Sequence, residues 1–253
     1  MDDGHGDWRI GWSARMTNSL PAAFPGGPSH EPGSIVQLCS LTRDRSGTAI
    51  GFVTPSAVAL AISIAIRTSA QARQQKSLIR FGDVLTPFGP GNDVQTSDLA
   101  GLYDYFECCM AAAVFSFQSI EAFCNWEISL HLKGKFKLQR KKGIEEVGTE
   151  ELQRKASTDE KVATVLPLLL GVTNPKGSKL WQDFVTLKQV RDSTTHMKAH
   201  DQYTDRIDEE SLLFQFFNHD AAEYPQTAIS VMKYFARQPL RWLEAAEQEL
   251  SKL

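Results

Sequence analysis

The chain has 253 residues, 42% of them hydrophobic and 23% charged, which suits a globular protein large enough to bury a substantial core. A formal charge of −3 excludes a generic polyanion binder, so a nucleic-acid partner would have to be met by a local patch. The four cysteines show no CxxC spacing and three lie in one apolar helical stretch, so they are expected to be reduced core residues of a cytoplasmic protein.

No basic start followed by an apolar run marks a secretory signal. The longest apolar run, Ala57 to Ile66, is interrupted by Ser63 and stopped by Arg67, short of the roughly 20 residues of a spanning helix. Residues 1–33, rich in Gly, Pro, Ser and Asp, are expected to form a flexible leader. Ser34 to Leu41 and Thr48 to Val53 read as two short strands around Arg43–Gly47, and Thr54-Pro55 opens a helix to about Gln75. The prolines and glycines of Leu85–Asn92 suggest a boundary, which makes 34–95 a small α/β appendage and 96–253 a helical domain.

Ser97 or Asp98 can cap the next helix, which runs to about Leu132. It is apolar on so many sides that it must lie at the centre of a bundle, which makes Gln118, Glu121, Asn125 and Glu127 conspicuous. Lys133–Lys142 carries six cations and no acid. It reads as a solvated loop or helix end, or as a phosphate-tracking patch that includes Lys141 and Lys142. A helix from Ser157 or Thr158 to Leu170 follows, then a break over Gly171–Pro175. Leu180, Phe184, Leu187 and Val190 then mark an amphipathic helix capped by Ser178. Asp201–Glu210 reads as an exposed acidic connection, Leu212–Phe217 as a short apolar piece, helix or strand, and Pro225–Leu250 as one or two helices jointed near Pro239. The whole gives an all-α, four- to five-helix up-and-down bundle carrying the appendage and the leader.

Arg191, Asp192, His196 and His200 crowd the polar end of the Ser178-capped helix. A permanently charged guanidinium can hold a phosphate while an imidazole titrating near neutrality moves a proton beside it. Five helical positions turn about 500°, which leaves Arg191 and His196 about 140° apart unless the helix end frays or a second subunit contributes. Asp192, His196 and His200 are spaced by four and share a face, so Asp192 can fix the His196 tautomer. Each also has a plain alternative as a surface charge or a helix-terminal cation. His196 and His200 form an i, i+4 pair of the kind that grips metals, but no HExxH occurs and no third ligand is assigned, so no metal or cofactor is expected.

Arg191-Asp192-Ser193-Thr194-Thr195-His196 resembles the R-x4-6-H signature of the HEPN (higher eukaryotes and prokaryotes nucleotide-binding) superfamily. Phe115 to Asn125 is similar to the earlier HEPN helix that turns a polar or acidic residue to the site, here Glu121 with Asn125 one turn on. The resemblance spans about residues 97 to 250. It implies a metal-independent endoribonuclease acting as a homodimer, a toxin or defence effector that cleaves RNA by 2′-hydroxyl attack. In that reading Arg191, His196, Asp192 and Glu121 are catalytic, and Asn125, His200, Lys141 and Lys142 bind substrate. It also implies an antitoxin or nucleotidyltransferase partner, and no membrane. The alternative is a non-catalytic HEPN-like module that binds a nucleotide or a partner protein.

Overall fold

A computed structural model describes residues 6–11, 13–19, 21, 29–86, 89–141, 143–198, 201 and 208–253. Among the described residues eight helices are formed: α1 (Ala57–Leu78), α2 (Leu99–His131), α3 (Thr149–Lys155), α4 (158–170), α5 (Lys179–Thr195), α6 (Leu212–Asn218), α7 (Glu223–Phe235) and α8 (Arg241–Leu250). The described residues also form four antiparallel two-stranded ribbons, two before α1, β1 (Ser13–Arg15) with β2 (Ile35–Gln37) and β3 (Cys39–Arg43) with β4 (Ala49–Val53), and two between helices, β5 (Phe81–Thr86) with β6 (Gly89–Val94) and β7 (Phe136–Arg140) with β8 (Gly143–Val147). The fold is therefore mixed α/β, and the expected all-α bundle of four or five helices is corrected on both helix number and strand content.

The reason lies in the hairpins. Most of the Pro/Gly stretch that reads as a boundary lies in the paired strands β5 and β6, with Leu85 opposite Pro90, Thr86 opposite Gly89, and Gly89 at φ +111°. The basic run 133–142 contains a strand, not a helix end, because Phe136 and Leu138 alternate inwards while Lys137 and Gln139 face out. Gly143 at φ +130° starts the returning strand. That strand brings acids to the cations: Lys137 lies opposite Glu146, and Glu145 pairs with Lys155 of α3.

α2 spans 33 residues, about 50 Å, and packs against α1, α3, α4, α5, α6 and α7. Its buried positions include Tyr105, Cys109, Ala112, Phe117, Ile120, Phe123, Cys124 and Ile128, a stripe that wraps most of the helix. By length and composition the stretch Thr96–His131 could also cross a bilayer. α1 approaches α2 closely because small residues meet, with Ala59, Ala65 and Ala72 on one helix and Ala112, Ala113 and Ser116 on the other fully enclosed. α1 thus shares one hydrophobic core with the later helices, although the sequence grouped it with residues 34–95.

Several local expectations shift by a residue or a role. Ser56, not Thr54, caps α1 by accepting from the Ala59 amide. Asp98 precedes α2, but its carboxylate is spent on Arg80 (2.7 and 2.9 Å), which ties the β5–β6 ribbon to the helix start. The described part of residues 1–33 is anchored, not a free leader: β1 pairs with β2, the Ser56 amide donates to the Arg9 carbonyl, and Trp8 packs on the core. Asp201, expected on an exposed connection, is 4% exposed and accepts from the amides of Lys198 and Leu212 at 3.0 Å each. Cys109 and Cys124 are buried as expected, whereas Cys39 is exposed on β3.

Candidate functional site

The site grows where α5 and α4 lie against the middle of α2. Ser178 starts α5 by accepting from the Trp181 amide, and Phe184, Leu187 and Val190 seat the helix on the core, with Phe184 stacked on Phe117 of α2. One turn further, Arg191 points back over the same aromatic ring, its Cζ 3.9 Å from the Phe117 centroid. Nη1 lies 2.9 Å from the Asp192 carboxylate as an ion pair, while Nε is buried without a hydrogen-bond partner.

Asp192 also receives Lys188 at 3.1 Å, and Lys188 reaches Asp159 of α4 at 3.5 Å. α4 begins with a capping box between Ser157 and Glu160, and Arg140 of β7 pairs with Glu160, so the ribbon pins the helix start. The next turn, Lys161–Val165, is a π-turn, and it aims Lys161 inwards to 1% exposure. Its Nζ lies 3.9 Å from Glu121, which stands one turn beyond Phe117 on α2. Two charge groups thus flank Phe117: the chain Asp159–Lys188–Asp192–Arg191, whose guanidinium lies over the ring, and the pair Lys161–Glu121 one turn further along α2.

Three cations and three carboxylates balance across the two groups, and Asp192 competes with any incoming anion for the Arg191 guanidinium. Burial pushes the Lys161 ammonium below the usual lysine range, opposed by the charge of Glu121. Asp159 Oδ1 and Arg191 Nε are buried without partners at this junction, as is Asn125 Oδ1 further along α2, and buried polar atoms in folded proteins are seldom left so.

The sequence-derived residues are distributed as follows. Arg191, Asp192 and Glu121 belong to the α2–α4–α5 junction, while Asn125 stands one turn beyond Glu121 on α2, its carbonyl accepting from Gln153 of α3. Glu121 pairs with Lys161 instead of with Arg191. The Asp192 carboxylate goes to Lys188 and Arg191, and its contact with His196 is through the backbone, whose carbonyl accepts the His196 amide at 2.9 Å. His196 sits just past the last turn of α5 (φ −132°, ψ 50°), exposed, and no hydrogen bond joins it to Arg191 among the described residues. The cleft of about 390 Å³ beside Gln189, Ser193 and Lys198 takes in neither of the two. Lys141 is exposed in the β7–β8 turn, and Lys142 and His200 lie outside the described residues. Among those residues no group of three or more His, Cys, Asp or Glu is placed to hold a metal.

Lys161 and Lys188 were missed from the sequence. A signal for the first was present: a lone charge directly after a Ser-x-x-Glu box and before an apolar run, Val162 to Leu170. No family model, no curated protein and no solved structure matches the chain.

Proposed function

We propose that the protein is a metal-independent endoribonuclease of the HEPN type that works as a homodimer in the cytoplasm. The observation that supports it is the placement of Arg191 at the polar end of α5, stacked on Phe117 with an unpartnered Nε, while His196 emerges exposed just beyond the same helix end. Arg191 binds the scissile phosphate and stabilises charge on its oxygens, an effect whose loss costs about 10²–10³ in rate. His196 takes the proton from the ribose 2′-hydroxyl as its oxygen attacks phosphorus. The bond to the 5′-oxygen breaks, and His196 of the partner subunit returns a proton to that oxygen, leaving a 2′,3′-cyclic phosphate and a 5′-hydroxyl. A two-fold mate is needed because one chain does not bring the imidazole to the guanidinium.

Incubation of the purified protein with total RNA in EDTA tests this. The expected result is cleavage with cyclic-phosphate ends, lost at least about 10²-fold in both Arg191→Ala and His196→Ala at unchanged melting temperature. EDTA-sensitive cleavage, or none, overturns it. A second reading, a non-catalytic module that binds a nucleotide, is favoured by the separation of His196 from Arg191 within one chain; saturable nucleotide binding without cleavage would select it.

A further inference from the structure

Lys161 has no part in the reaction just described, yet it is the most enclosed charge at the junction, and the energetic cost of holding an ammonium there calls for a reason. Its Nζ is 3.9 Å from Glu121 Oε1, beyond hydrogen-bond reach, and Glu121 is the carboxylate within ion-pair distance of it among the described residues. Glu121 is itself 48% exposed. One side of that carboxylate therefore faces a cation from below and the other faces solvent. Asn125, one turn along α2, keeps its buried Oδ1 free of protein donors, and it is held in place from the backbone side, where Gln153 Nε2 donates to its carbonyl at 2.7 Å.

We propose that Lys161 is a positioning residue that holds Glu121 as the hydrogen-bond-accepting half of a ribonucleotide site whose donating half is Arg191. This rests on the reading of Arg191 as the phosphate ligand. A carboxylate accepts hydrogen bonds and repels phosphate, so Glu121 contacts a hydroxyl or amino group of the nucleotide while Arg191 takes its phosphate. The ligand class is a phosphorylated nucleoside carrying ribose hydroxyls, in preference to a bare phosphate. Lys161 does not touch it; the lysine acts through Glu121, and the π-turn is the local feature that brings its side chain inwards.

Binding of adenosine 5′-monophosphate, 2′-deoxyadenosine 5′-monophosphate and inorganic phosphate is measured by calorimetry for the wild type, Lys161→Met, Glu121→Gln and the double variant. The expected result is that the wild type binds the ribonucleotide at least about tenfold tighter than phosphate, a 1.4 kcal/mol difference. Lys161→Met and Glu121→Gln each remove that preference, the double variant is no worse than Glu121→Gln alone, and phosphate binding is unchanged throughout. Additive losses, an equal fall in phosphate binding, or an unchanged ribonucleotide preference in Lys161→Met overturns the proposal, as does a wild type without the preference. If Lys161→Met does not fold, the half-exposed Glu121→Gln carries the test through loss of the same preference, read together with the shift of the Glu121 carboxyl carbon signal on adding ribonucleotide to the wild type. RNA cleavage in EDTA is scored separately: a Lys161→Met protein that keeps both cleavage and preference sinks this inference alone, while ribonucleotide preference without cleavage sinks the nuclease alone.

Discussion

The guanidinium of Arg191 and the ring of Phe117 meet at 3.9 Å, joining α5 to α2 where the core gives way to charge. The contact fixes a long side chain that would otherwise sample many rotamers, and it leaves the nitrogens on the ring's far edge to choose between Asp192 and an incoming anion.

Phe117→Leu keeps an apolar side chain in the core and removes the π-face. The stacking on Phe184 is lost as well, so unfolding free energy should fall by about 1–2 kcal/mol in urea titration. Phosphate affinity should fall with it, because Arg191 is released. Unchanged phosphate binding would mean that the ring is only packing.

Asp192→Asn removes the negative charge that competes for Arg191. Since the carboxylate is 39% exposed, stability should change by no more than about 0.5 kcal/mol, but inorganic phosphate should bind several-fold tighter. If Asp192 instead governs the His196 tautomer, the variant will bind phosphate as before and shift the His196 imidazole signals in an NMR titration.

Glu127 on α2 has a side chain 5% exposed, an Oε2 without a hydrogen bond, and His131 3.2 Å away but out of hydrogen-bond geometry. Burial raises its carboxyl to about 7, with Arg237 pulling the other way. Because the folded value lies above the unfolded one, stability is full below about pH 4.5, declines as the unfolded chain ionises, and levels off above about pH 7. Glu127→Gln should be more stable than wild type at pH 8 by on the order of 2 kcal/mol and about equal at pH 4.5. Parallel curves across that range would show that the folded protein carries Glu127 ionised.

Burial pushes the Cys109 and Cys124 thiols up to about 12, while Cys39 is exposed. Iodoacetamide at pH 8 should therefore label Cys39 in the folded protein within minutes and leave Cys109 and Cys124 unlabelled until denaturant is added, as read by mass spectrometry of peptides. Equal labelling of all three in native buffer would show that α2 opens readily.

Much of the helical skeleton was legible because its signals are local. Ser178 and Ser157 announce helix starts by their own side chains, Gly171 ends α4 in the left-handed region at φ +63°, and the apolar period of α5 falls on Phe184, Leu187 and Val190 as spacing dictates. The ribbons were less legible. Phe136 and Leu138 alternate over too few residues to outweigh six cations, and Pro90 disguises a hairpin strand as a linker.

The sequence by itself determined that Arg191, Asp192 and His196 cluster at the end of one amphipathic helix and that Glu121 and Asn125 share a face of another, since both follow from 3.6-residue periodicity. Only the tertiary structure decided who meets whom: Arg191 with Phe117, Glu121 with a buried Lys161, and Asp192 with Lys188 instead of the His196 ring. Those pairings join residues distant in the chain, or distribute one carboxylate among rival cations, and the outcome depends on how α4 and α5 pack on α2, which no local pattern encodes.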